Sequence, residues 1–315
     1  MPATSRARWK ILAAAALFST GGAAIKATSF TSWQVACLRS GIAALAFLVL
    51  MPAARRWPTR RELLVGATYG STLVLFVLAN KATTAANSIF LQSTAPLYIL
   101  LLSPWLLCER ITRKDVLFLL AMAIGLALFF VDEEKASATA DDPFLGNLFA
   151  LGSGLAWALT VMGLRWLGSR TSAASAGVPD GRDAGGPSPA PEGASQEGFG
   201  AIVAGNTLAF LAAAPLAFPV RGSAVDWSIV LYLGIFQIAL AYVFVTTALR
   251  IVPAFEASVL LLIEPVLNPV WAWIVHGERP GPWALAGGAV ILCATFVKAR
   301  WDAGVEPPAA GPAAA

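Results

Sequence analysis

The chain has 315 residues, of which 57% are hydrophobic and only 13% charged, against roughly 45–50% apolar and about 25% charged in soluble domains. It lacks the charge that a water-facing surface needs and is read as a membrane protein, lodged in a lipid bilayer. A net charge of +4, three cysteines without CxxC spacing and one histidine, His276, exclude nucleic-acid binding, a disulfide framework, a metal site and His-dependent hydrolysis, so no cofactor is expected.

The chain opens on a short basic arm with Arg6, Arg8 and Lys10, followed by an apolar run. A cleavable signal peptide has the same pattern. An uncleaved helix is favoured, because Ala15–Phe18 followed by Lys26 has a counterpart in Gly154–Trp157 followed by Arg165. Ten apolar spans succeed one another, at 10–27, 32–51, 63–80, 86–107, 115–131, 144–166, 199–219, 226–249, 254–275 and 282–300. Each is near the roughly 17–25 residues that cross a bilayer. Gly66 and Gly70 in the third are read as a point of close helix packing.

The fold class this predicts is all-α integral membrane, with ten transmembrane helices in two five-helix repeats, residues 10–131 and 144–300. Five is odd, so the second repeat enters the membrane inverted. Residues 171–198, rich in Ser, Ala, Gly and Pro, are expected to be a disordered loop, and 302–315 a similar tail. Most basic residues fall in alternate loops, among them Arg55, Arg56, Arg60, Arg61, Arg113 and Lys114, while the acidic run Asp132, Glu133, Glu134 falls between them. The positive-inside rule then places both termini and the 171–198 loop in the cytoplasm, on a multi-pass membrane protein.

The repeat carries the functional signal. A shift of 169 positions lays Pro96 on Pro265, Glu109 on Glu278 and Arg110 on Arg279. Two proline-broken apolar segments in corresponding places of two halves point to a transporter's binding site. Ionisable groups inside a span are costly and count as functional candidates; here they are Arg39 in the second span and Glu264 near the middle of the ninth. Asn268 follows Glu264 at i+4, Ser88 and Gln92 share a face of the fourth span, and Thr68 and Thr72 of the third correspond to Gln237 and Ala241 of the eighth. Arg39, Thr68, Thr72, Ser88, Gln92, Gln237, Glu264 and Asn268 are the expected substrate-binding residues. Each also has a structural reading, as interior groups bonded to backbone carbonyls. Glu109 and Glu278 are read as structural, solvated at opposite membrane faces.

Ala85, Pro96, Glu109 and Arg110, repeated as Ala254, Pro265, Glu278 and Arg279, resemble the EamA domain of the drug/metabolite transporter superfamily. LFSTGGAAIK looks like a degenerate form of that family's opening helix, with Phe18 at the usual Trp, and Arg39 matches an arginine often found in its second helix. The resemblance implies a ten-helix inner-membrane carrier of small metabolites, often an exporter. It sets no acidic residue at position 264, so Glu264 is a departure.

The expected function is secondary transport of small polar metabolites by alternating access, with amino acids or related zwitterions as the proposed class and export the expected direction. Glu264 would bind a substrate ammonium or carry a coupling proton, and Arg39 would receive a carboxylate. No GxxxxGK[ST] loop occurs to bind ATP. The alternatives are a non-transporting membrane scaffold, an integral-membrane enzyme, or a channel.

Overall fold

The computed structural model describes residues 3–51, 55–106, 112–131, 140–175, 192–249, 251–252 and 254–303. The first half comprises α1 (Ala3–Ser19), α2 (Gly21–Ala27), α3 (Ser32–Leu50), α4 (Arg60–Ala82), α5 (Ala85–Gln92), α6 (Ala95–Leu106) and α7 (Arg113–Leu128). The second comprises α8 (Pro143–Ser175), α9 (Glu192–Ala217), α10 (Ala224–Tyr232), a π-helical segment (Leu233–Leu240), α11 (Ala241–Ala248), α12 (Ala254–Leu261), α13 (Ile263–His276) and α14 (Pro282–Ala303). Among the described residues, nine helical stretches are long and apolar enough to cross a membrane. The tenth expected span is α7, whose 16 residues fall a little short.

Helix starts are written into the sequence. Thr31, Thr59, Thr112 and Ser223 each accept from the backbone three residues on, while the side chain of Gln34, Glu62, Asp115 or Asp226 accepts in return. These capping boxes satisfy amides that bilayer and headgroups would leave unpaired. Gly277, at φ 67°, ends α13, a left-handed position that glycine adopts without strain. α8 continues to Ser175 and α9 begins at Glu192, inside the stretch expected as a loop; residues 176–191, like 304–315, lie outside the described residues.

The broken helices obey the repeat. α5 begins at Ala85 and α12 at Ala254, and both run eight residues, to Gln92 and Leu261. Pro96 and Pro265 lie four residues beyond those ends. Proline has no N–H and its ring crowds the carbonyl four residues back, so each interrupts the ladder at that residue. Packing follows the same symmetry. α4 packs on α8 and α9, and its counterpart, the α10–α11 run, on α1 and α3. The α5–α6 run packs on α8, and its counterpart α12–α13 on α1, while α3 meets α9 and α7 meets α14.

Gly66 and Gly70 of α4 press against α9. A Cβ on Gly70 would lie 2.7 Å from the carbonyl oxygen of Gly205, and one on Gly205 2.6 Å from that of Gly66. Without a hydrophobic drive between helices in lipid, such backbone contact supplies much of the association.

Two elements break the symmetry. The first span is interrupted at Thr20, whereas its counterpart α8 is continuous; the eighth carries the π-helical segment, whereas its counterpart α4 is regular. The Ser19 and Thr20 hydroxyls donate to the carbonyls of Ala16 and Leu17, both at 2.7 Å, and Gly21-Gly22 follows. Both features weaken a helix. The two irregular segments meet: the Thr20 hydroxyl lies 2.8 Å from that of Tyr232.

Candidate functional site

A cavity of about 220 Å³ lies between the halves, lined by Phe18, Arg39, Tyr69, Thr72, Leu73, Phe76, Gln92, Trp157, Gln237, Ile238, Tyr242, Val245, Leu261 and Glu264. Its walls come mainly in repeat-related pairs. Phe18 and Trp157 correspond, as do Tyr69 and Ile238, Leu73 and Tyr242, Phe76 and Val245, and Gln92 and Leu261. The pseudo-twofold relation therefore generates a largely apolar and aromatic shell. Most of the polar groups break it: Glu264 stands where the first half has Ala95, Thr72 opposite Ala241, and Gln237 opposite Thr68.

Of the eight expected binding residues, Arg39, Thr72, Gln92, Gln237 and Glu264 line this cavity. Arg39 is 1% exposed. One guanidinium nitrogen donates to the Leu73 carbonyl at 3.1 Å, and its Nε has no partner. No ion pair joins Arg39 to Glu264 or to any other carboxylate among the described residues. Gln92 donates to the Ser153 hydroxyl at 2.7 Å, which donates in turn to the Thr72 carbonyl. Gln237, inside the π-helical segment, reaches the Phe18 carbonyl at the long distance of 3.5 Å, and its Oε1 is unpartnered. Widened helical turns of this kind are frequent at functional sites.

The other three lie elsewhere. Thr68 turns to α8: its hydroxyl donates to the Val65 carbonyl and accepts from Thr160. Ser88 and Asn268 are both fully buried, in a layer on the side of the cavity away from the chain termini. The register of Asn268 with Glu264 is helical as expected, but the packing of α13 on α2 and α5 encloses it.

That far side is closed by polar contacts. Glu278 is buried, not solvated as expected. It pairs with Lys26 at 3.4 Å and accepts from the backbone N–H of Ala85, so it caps the start of α5. Lys26 and Lys81 donate to the carbonyls of Thr83 and Thr28, Trp271 donates to Ser19, and His276 meets the Ala23 carbonyl. Glu109 and Arg110, the counterparts of Glu278 and Arg279, lie outside the described residues. On the termini side the half-helices diverge, α6 onto α8 and α7, α12 onto α1 and α14. Two larger hollows, of about 350 and 390 Å³, lie between α2 and α10 and between α7 and α14; neither has a charged residue in its lining.

Two inverted five-helix halves around a central, asymmetrically polar cavity define a multi-pass α-helical membrane protein built like a transporter. The EamA-like transporter family matches residues 7–131 and 198–299, and the chain belongs to that family. It is similar to the pseudopaline exporter CntI of Pseudomonas aeruginosa strains UCBPP-PA14 and PAO1, 26% identical in each case over 299 residues, covering 91% of this chain and 93% of the relative. A solved crystal structure superposes with a TM-score of 0.56 at 18% identity, covering 94% of this chain and 98% of that one, which shows a shared fold.

Proposed function

We propose that this protein exports a small amino-carboxylate metabolite across the inner membrane by alternating access, with both termini cytoplasmic. The carrying observation is that Arg39 and Glu264 line one cavity without pairing to each other. A buried cation left unpaired by the protein is costly unless a ligand completes it. A substrate carboxylate suits the open Nε of Arg39, since charge-assisted bonds to a guanidinium are the strong ones. Its ammonium, or a coupling proton, suits Glu264. The family membership and the exporter among its relatives support a transporter over a scaffold or an enzyme, and support the outward direction.

The half-helix arrangement supports an inward-facing state. α5 and α13 are packed together on the far side, whereas α6 and α12 lie against different partners on the termini side. A substrate would enter from the cytoplasm between those two half-helices.

The test is transport in proteoliposomes charged with radiolabelled amino acids and dipeptides, and in parallel with amines and monocarboxylates lacking the opposite charge. Flux of compounds carrying both charges, lost in Arg39→Ala, is expected. Equal flux of the singly charged compounds would overturn the reading.

A further inference from the structure

Between the cavity and the Lys26–Glu278 seal lies a second cluster of polar side chains that the cavity does not use. Asn80, Ser88 and Asn268 are each 0% exposed. Asn80 Oδ1, Ser88 Oγ and both polar atoms of the Asn268 amide have no hydrogen-bond partner. Asn80 and Asn268 are brought together at the break in the first span. A Cβ on Gly22 would lie 2.6 Å from Asn268 Oδ1, 3.0 Å from Asn80 Oδ1 and 3.0 Å from the Cβ of Ala85. Ser88 follows Ala85 by three residues on α5, and so lies on the same side of that helix.

Buried amides and hydroxyls are nearly always satisfied, and the few that are not call for an explanation. The repeat supplies one. At the corresponding positions of the inner half, Asn80 is matched by Leu249, Ser88 by Ala257, Asn268 by Ile99 and Gly22 by Val161. The repeat-related positions are therefore apolar on one side of the membrane and hydrogen-bonding on the other. Packing alone did not require the polar set.

The geometry points to an exit station: Asn80, Ser88 and Asn268 form a second hydrogen-bonding site that opens to water when the Lys26–Glu278 seal parts and takes the donor-bearing groups of the departing substrate. The proposal rests on the carrier reading above. The chemistry of the layer selects the ligand. The amide nitrogen of Asn80 is engaged by the Phe76 carbonyl at 2.9 Å, so its free oxygen can only accept. It reads a hydroxyl or ammonium hydrogen of the substrate, while Asn268 and Ser88 can donate to an oxygen beside it. No charged side chain belongs to the cluster itself, so it holds its ligand weakly and lets it go. In the inward-facing state these groups are dry and their bonds unmade, which biases the layer toward opening.

The experiment is site-directed labelling in a background with Cys37, Cys108 and Cys293 replaced by alanine. Ser88→Cys is exposed in intact cells to a membrane-impermeant, positively charged methanethiosulfonate, and the labelled fraction is read after lysis. We expect labelling from outside, faster in Glu278→Gln. We also expect it to be slower by on the order of tenfold in Asn80→Leu/Asn268→Leu, the shift that relieving an unmade buried hydrogen bond brings. Elution as a single folded species on size exclusion confirms that each variant is intact. A Ser88→Cys protein that elutes intact, resists labelling from outside in both the parent and the Glu278→Gln background, and reacts only after denaturation would overturn the exit station. Outside labelling that persists when amino-carboxylate flux is absent would leave the station standing and remove the substrate reading instead.

Discussion

Arg39 of α3 and Glu264 of α13 line the same cavity, and no ion pair joins them. They sit on opposite halves of an inverted repeat, and Glu264 has an alanine, Ala95, at its repeat-related position. The shell of the chamber thus follows the repeat, and most of its polar groups depart from it.

Arg39→Lys and Arg39→Ala separate charge from geometry. A lysine keeps the cation and loses the planar fork that holds a carboxylate with two bonds. Initial transport rates at limiting amino-carboxylate are expected to fall about tenfold or more in Arg39→Ala, as for loss of a hydrogen bond to a charged group, and by less in Arg39→Lys. Equal rates in all three proteins would remove Arg39 from the site.

Glu264→Gln keeps the shape and removes the titration. If Glu264 carries the coupling proton, efflux from proteoliposomes is driven by an inward proton gradient in the parent protein and loses that dependence in the variant, while unlabelled substrate still competes for binding. If it binds the substrate ammonium, competition itself is lost. Unchanged flux with unchanged pH dependence would exclude both roles.

Gly205 tests the α4–α9 contact, since it approaches the Gly66 carbonyl and Tyr69 too closely for a Cβ. Gly205→Val should destabilise by about 1–3 kcal/mol, the usual range for overpacking. Thermal unfolding in detergent reads this as a melting midpoint lowered by several degrees. A midpoint within one degree of the parent would mean that the helices separate freely there.

Asp226 ties the end of the first span to the start of the eighth. It accepts from the Thr28 hydroxyl, from the backbone N–H and hydroxyl of Ser29, and from the N–H and hydroxyl of Ser223. Asp226→Ala removes the reciprocal half of the capping box at Ser223, a hydrogen bond worth about 1 kcal/mol, and leaves the Thr28 and Ser29 groups unpaired as well. A lower melting midpoint is expected, together with faster proteolysis of the α2–α3 connection. Asp226→Asn should recover part of both.

The architecture was largely legible in the sequence because the bilayer is a severe solvent. Ten apolar spans, their division into two halves, and the paired breaks ahead of Pro96 and Pro265 follow from length, hydropathy and the missing proline N–H. The capping boxes at Thr31, Thr59, Thr112 and Ser223 were equally readable, as Ser or Thr followed three residues later by Gln, Glu or Asp. Their signal is short beside the apolar runs that flank them.

The site was legible only in part. Periodicity assigns a residue to a face of its own helix, and so grouped Glu264 with Asn268 and Thr72 with Thr68. It does not say what that face meets once broken helices pack. The α5–α13 contact encloses Asn268 and Ser88, and α8 takes up Thr68. The break at Thr20 and the π-helical segment, which bring Phe18 and Gln237 together, have no counterpart in the repeat that could have announced them. Sequence alone determined the spans, the inversion and the charged residues within them, because the cost of polar groups in lipid acts on each segment separately. The enclosure of Glu278, the cavity that joins Arg39 to Glu264, and the unpaired layer at Asn80, Ser88 and Asn268 were decided by tertiary structure, because each depends on which half-helices pack and which diverge.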